Sequence, residues 1–207
     1  MGRVKTRLAA EIGASAATRF ARVAAASLIR RLVRDGRWQM VLAVAPDSAI
    51  ASPIWPAEVT RVGQSTGDLG ARMGRLLTHR SGRGRWPTSG KIDAKGAILI
   101  GADIPAISAT LIAAAFAVLR RHDAIFGPAE DGGYWLVGLN GRAPRGDMFA
   151  NVRWSTPFAL ADTLANFRQS RVGYAAMLGD VDDAASYRRL GHLAGRVILP
   201  AGSRGGG

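Results

Sequence analysis

Two strand-forming runs separated by an acidic glycine turn constrain this chain most. Residues 123–126 and 134–139 flank Gly127-Pro-Ala-Glu-Asp-Gly-Gly133, where Gly132 and Gly133 permit positive φ and Glu130 and Asp131 are the only carboxylates. The pattern predicts a hairpin that holds an acidic pair at the end of apolar strands. Taken alone, it also suits an Asp-Gly turn with a solvated tip. Two further stretches repeat the arrangement: Asp103 follows the apolar run 97–100, and Asp180, Asp182 and Asp183 follow 172–178.

The runs 40–45 and 97–100 are continuously apolar rather than alternating, which suits strands covered on both faces. Between such runs lie helical segments. Residues 16–34 predict a helix opened by Ser15 and closed by Asp35-Gly36, with Phe20, Val23, Ala24, Ser27, Leu28, Arg31 and Leu32 on one stripe. A short strand over 59–62 precedes a helix over 69–78, for which Asp68 is the N-cap. Ser108 caps a helix over 109–121, Thr156 and Pro157 open one reaching about 169, and another spans 183–194. Alternating strands and helices predict an α/β domain with a layered sheet. In open sheets of this class ligands sit beyond the carboxyl ends of the strands, which is where Asp103 falls. Residues 81–96 are rich in Gly and Arg without periodicity and read as a flexible surface insertion, and 201–207 as a disordered tail. At this length, residues 1–200 make one domain.

Composition narrows the chemistry. The absence of cysteine excludes disulfide frameworks, thiolate nucleophiles and cysteine-ligated zinc, and is compatible with a cytoplasmic location. No apolar run reaches the ~20 residues that span a bilayer. The formal charge of +13 raises nucleic acid as a partner, but the cations are scattered over nearly every segment with no aromatic-interleaved motif, which argues against it. There is neither a Gly-x-Ser-x-Gly elbow nor a Walker A loop, and His79, His122 and His192 read as surface residues. Acidic strand ends near a Gly- and Lys-bearing basic loop at residues 1–8 suit one ligand type. Mg²⁺ or Mn²⁺ takes one or two carboxylates plus substrate phosphates while Lys and Arg neutralise the remaining charge, so a nucleoside di- or triphosphate donor fits.

Taken in order, Gly2-Arg-Val-Lys-Thr-Arg-Leu8, Gln64 with Gly67-Asp-Leu-Gly-Ala-Arg-Met73, Gly101-Ala-Asp-Ile-Pro105, the 127–139 stretch, Trp154-Ser-Thr156 and Asp180-Val-Asp182 resemble the bacterial DUF2064 proteins. These are also called glycosyltransferase-like or radical-SAM/selenodomain-associated transferase 1 proteins. The resemblance implies the nucleotide-diphospho-sugar transferase, or GT-A, fold: a three-layer α/β/α sandwich with a mixed, mainly parallel sheet. It implies a metal-dependent nucleotidyl- or glycosyltransferase with a nucleotide or nucleotide-sugar donor and a small-molecule acceptor. Carried over by position, Lys5, Asp103 and Asp131 would be catalytic, Asp103 with Asp180 and Asp182 would hold the metal, and Gly2, Arg3 and Arg7 would bind phosphate. Gln64, Gly67, Asp68, Gly132, Gly133, Trp154, Ser155 and Thr156 would contact substrate. Family members usually begin with an apolar strand ahead of the basic loop, which this sequence does not show. The expected sheet therefore lacks its first strand and is less stable than a form extended upstream. A non-catalytic or degenerate nucleotide-sugar-binding module is the alternative reading, ahead of a basic nucleic-acid-binding protein.

Overall fold

The computed structural model describes residues 6–78, 96–141 and 146–179, with side chains from residue 9 onward; the expected insertion (apart from Gly96), tail and last helix lie outside them. The elements are α1 (Thr6–Ile12), α2 (Ala14–Val33), β1 (Val41–Val44), β2 (Thr60–Gly63), α3 (Leu69–Thr78), β3 (Gly96–Ile100), α4 (Ala109–Leu119), β4 (Ala124–Pro128), β5 (Tyr134–Asn140), α5 (Ala159–Ala165) and β6 (Val172–Tyr174).

β1 and β2 form a parallel pair, and the other strands form a sheet in the order β3-β5-β4-β6. β5 is antiparallel to both of its neighbours, while β6 runs parallel to β4. Three of the four strands therefore point the same way, and their carboxyl ends share one edge with the start of β5. Helices cover both faces. Leu28 and Leu32 of α2 and Ile112, Ala115 and Leu119 of α4 pack with Ile125 and Leu136, joined by Ile98 and Ile100. On the opposite face Met73 and Leu77 of α3, with Leu160 and Leu164 of α5, pack with Ala124, Phe126, Val137 and Leu139, joined by Ala97 and Leu99. Strand residues thus alternate between two apolar layers, which explains runs without polar alternation. Each fully buried Phe, such as Phe126 or Phe167, contributes roughly 1.5–3 kcal/mol of burial.

Among the described residues no strand joins β1 to β3. Val44 accepts from the Gln64 amide in β1–β2 pairing, so strand alternation turns the groups of Val41 and Ala43 to the free side. Gly101 donates to Trp135 of β5, so those of Ile98 and Ile100 likewise face away. Both edges are apolar and half-buried, and Met40 and Ile98 belong to the same cluster beneath α2.

One buried face and two expected boundaries shift. The buried face of α2 is Ala17, Ala24, Ala25, Leu28, Ile29 and Leu32, whereas Val23 is 59% exposed. Small alanines, easily read as filler, are the residues that let this helix approach the core. The strand expected over 172–178 pairs only through Tyr174 and as a single bridge at Leu178, because the Ala176 carbonyl accepts the Trp135 indole N–H at 2.9 Å and draws the chain off line. α5 starts at Ala159 rather than Pro157. The Thr156 hydroxyl holds a preceding turn, donating to the Arg153 carbonyl at 2.8 Å and accepting the Phe158 N–H at 3.2 Å.

Candidate functional site

At the shared strand edge, the segment after β3 carries Asp103. Its backbone is fixed on both sides: Gly101 donates to the Trp135 carbonyl, and Arg31 of α2 reaches the Pro105 carbonyl at 3.0 Å. Asp103 is half-buried and its Oδ1 folds back over Gly101, 2.8 Å from where a Cβ would stand. The predicted hairpin is present, with a register shift at Gly127/Pro128. Its turn is closed by Ala129 N–H to Gly133 O at 3.0 Å and Gly132 N–H to Ala129 O at 3.1 Å.

The two turn carboxylates differ. Asp131 accepts the Gly133 N–H at 2.9 Å and so builds the turn, whereas Glu130 lies against Gly179, with an oxygen 2.9 Å from the position of an added Cβ. Gly179 is the last described residue before Asp180. Asp180, Asp182, Gly2, Arg3 and Lys5 lie outside the described residues. Arg7 falls in α1, its side chain likewise outside. Among the described residues no group of three or more His, Asp or Glu side chains could hold a metal ion.

Gly132 stands at φ 83° with its carbonyl accepting the Leu160 N–H at 3.1 Å, and this joins the turn to the start of α5. Gly133 does not take the positive φ expected of it, and the N–H it gives Asp131 is one that any residue but proline could supply. Trp154 packs its ring against Gly70 of α3, 2.9 Å from an added Cβ, and meets Tyr134 edge-on at 6.4 Å and Phe149 at 6.2 Å. It is a packing residue that links α3 to β5. Ser155 is exposed at φ 60°, and Thr156 serves the turn already described. Beside them Arg153 forms two side-chain bonds to Asp162, each 2.9 Å, and lies 4.1 Å over the Phe158 ring. The guanidinium and the Arg153 main-chain N–H draw the Asp162 carboxyl down to about 2.

Across the β2–α3 connection, Asp68 caps α3 as expected, its Oδ1 accepting the Ala71 N–H at 2.8 Å. Gln64 turns inward. Its Nε2 donates to the outward-facing Ala43 carbonyl at 3.0 Å, and its Oε1 accepts from Arg72 at 3.2 Å. Arg72 and the Trp135 anchor were not singled out from sequence. The first had a signal in its i+4 spacing from Asp68; the second joins residues 41 apart and had none.

Burial pushes the Tyr134 phenol up to about 12, with the Thr163 hydroxyl bond opposing it. The sign follows directly. Below the ordinary value of 10 both folded and unfolded phenols are neutral and the contribution is whole; above it the unfolded chain ionises first, so stability falls until about pH 12. The loss should total roughly 2–3 kcal/mol. A phenolate absorbance titration of the protein against Tyr134→Phe should assign one group to about pH 12. A Tyr134 that titrates at 10 would contradict its burial.

Residues 28–156 match the family model DUF2064, described as an uncharacterized protein conserved in bacteria. No curated protein matches the chain. Among solved structures, a Desulfovibrio desulfuricans G20 protein, provisionally assigned as a nucleotide-diphospho-sugar transferase, superposes with a TM-score of 0.76 at 25% identity over 91% of this chain and 80% of its own. The three-layer arrangement found here is thus similar to a nucleotide-diphospho-sugar transferase fold. No described helix is long and apolar enough to cross a membrane. With a family model covering more than half its length, the chain belongs to the DUF2064 family.

Proposed function

We propose that this chain is a transferase that takes a nucleotide-sugar or nucleoside triphosphate donor and passes a glycosyl or nucleotidyl group to a small-molecule acceptor. The observation that carries the reading is the meeting of the β3, β4 and β6 ends, with Asp103 and the Glu130-Asp131 turn, at one edge of a sheet similar to that of a nucleotide-diphospho-sugar transferase. Asp103 stands on a backbone held from β5 and α2, which limits the main-chain reordering needed when ligand arrives. Hard carboxylate oxygens fit Mg²⁺ or Mn²⁺, which Asp103 would hold with Asp180 and Asp182. When bound, such a cation neutralises charge on the donor's phosphates. Lys5, Arg3 and Arg7 would carry the remaining phosphate charge, and Gly132-Gly133 keeps the wall beside Asp131 free of side chains.

Thermal unfolding against nucleoside triphosphates and nucleotide sugars, each with and without Mg²⁺ or Mn²⁺, tests this. A donor at 100 times its Kd adds about 2.7 kcal/mol, which for this size raises the midpoint by roughly 5–10 °C. Stabilisation by one donor only with metal is the expected result. A flat response across the panel would remove the donor reading.

A further inference from the structure

Helices α2 and α4 cover the same face of the sheet. Leu28 and Leu32 of one pack with Ile112, Ala115 and Leu119 of the other, and Trp38, whose indole N–H bonds the Leu32 carbonyl, lies 6.2 Å from the Phe116 ring. Their outer faces therefore point away from the sheet together. On α2 and its C-cap that face carries Arg19, Arg22, Arg30 and Arg34, all exposed. At 3.6 residues per turn these fall within an arc of about 120°, opposite the buried Leu28 and Leu32, and make a row about 22 Å long. None of them has a carboxylate partner among the described residues, and neither helix contains an acidic residue. Asp35, just beyond α2, is taken by Arg37 at 2.6 Å. Cations that look scattered along the sequence are gathered here by the fold. The surface between and beside them is uncharged: Val23, 59% exposed, stands within the arginine row, and on α4 the exposed Thr110 and Ala114 and the half-buried Ala117 form one stripe ending at the exposed Arg121.

We infer that the outer face of α2 and α4 is a docking surface for the anionic headgroup layer of a lipid bilayer. The inference is independent of the donor reading. Guanidinium forks match lipid phosphate oxygens, and a row of cations with small apolar side chains between and beside them suits a headgroup layer that is charged at its surface and apolar beneath. A second copy of the chain does not fit, because a two-fold contact through this face would set the arginine row against its own like charge. Nucleic acid would use the arginines alone, since the α4 stripe offers a base neither an aromatic ring to stack on nor a side-chain amide to read its edge.

Vesicle flotation of the full chain at about 0.1 M salt tests this, with phosphatidylcholine vesicles that contain either no phosphatidylserine or roughly one-third. The wild-type protein should float only with the anionic vesicles. The double variant Arg19→Gln/Arg22→Gln should bind them about 10-fold more weakly with its melting midpoint unchanged, because both side chains are exposed. Arg75→Gln/Arg168→Gln removes the same charge from exposed positions on α3 and just after α5, on the opposite face of the sheet, and should bind as the wild type does. Val23→Gln, which leaves the charge alone, should weaken vesicle binding by about 3-fold. Failure to float with anionic vesicles would overturn the assignment. So would equal losses in the two double variants, which would trace binding to net charge rather than to this face. A DNA or RNA duplex bound more tightly than the anionic vesicles, with the loss confined to Arg19→Gln/Arg22→Gln and none in Val23→Gln, would replace the bilayer with nucleic acid.

Discussion

Gly132→Ala is expected to lower the melting midpoint by roughly 10 °C, corresponding to about 3–5 kcal/mol. Two effects add. The residue stands at φ 83°, where an L side chain is strained, and an alanine Cβ would overlap the Pro157 carbonyl while lying 2.7 Å from both its Cα and its carbonyl carbon. Those are backbone atoms at the entry to α5, tied back by the Leu160 N–H bond, so relief requires the turn and the helix to part. Gly133→Ala is the control. Its added Cβ meets only the Asp131 carboxylate at 3.0 Å, a side chain that can rotate away. That variant should cost less than about 1.5 kcal/mol. Equal midpoints for the two variants would contradict the close approach of turn and helix.

The same turn shows what a sequence of this kind reveals. Glycines beside an acidic pair between apolar runs predicted the hairpin, and a capping aspartate predicted the start of α3. Both are local: the stabilising partner lies within a few residues, so the pattern and the structure have the same cause. What escaped was set by distant partners. Nothing near Trp135 announces that its indole will take the Ala176 carbonyl and cut β6 short. Gln64 was carried over as a substrate contact by the family resemblance, yet its side-chain amide donates to the Ala43 carbonyl on the free edge of β1, a partner visible only once β1 and β2 are paired. Asp131 and Glu130 were indistinguishable as letters. One oxygen of Asp131 meets the amide two residues on, and the longer Glu130 side chain reaches past the turn to Gly179.

The placement of Asp103 was legible because it needed only the end of an apolar strand and the rule for open sheets. Asp103→Asn is expected to reduce metal-dependent turnover by about 10²–10³-fold, the range set by losing an electrostatic partner of the reacting phosphates. The fold should survive, since asparagine matches the shape, and the surrounding backbone is held by the Gly101 N–H bond to Trp135 of β5 and by Arg31 at Pro105. An unchanged midpoint without ligand, together with loss of the metal-dependent rise on adding donor, would assign the defect to the site rather than to folding. In Asp131→Asn an amide oxygen still accepts the Gly133 N–H, so turn and midpoint should persist, and any loss of turnover would report a role for charge at that position. Full metal-dependent activity in the Asp103 variant would show that the carboxyl end of β3 is not where the donor's phosphates are held, and would leave the segment beyond Gly179 as the acidic wall of the site.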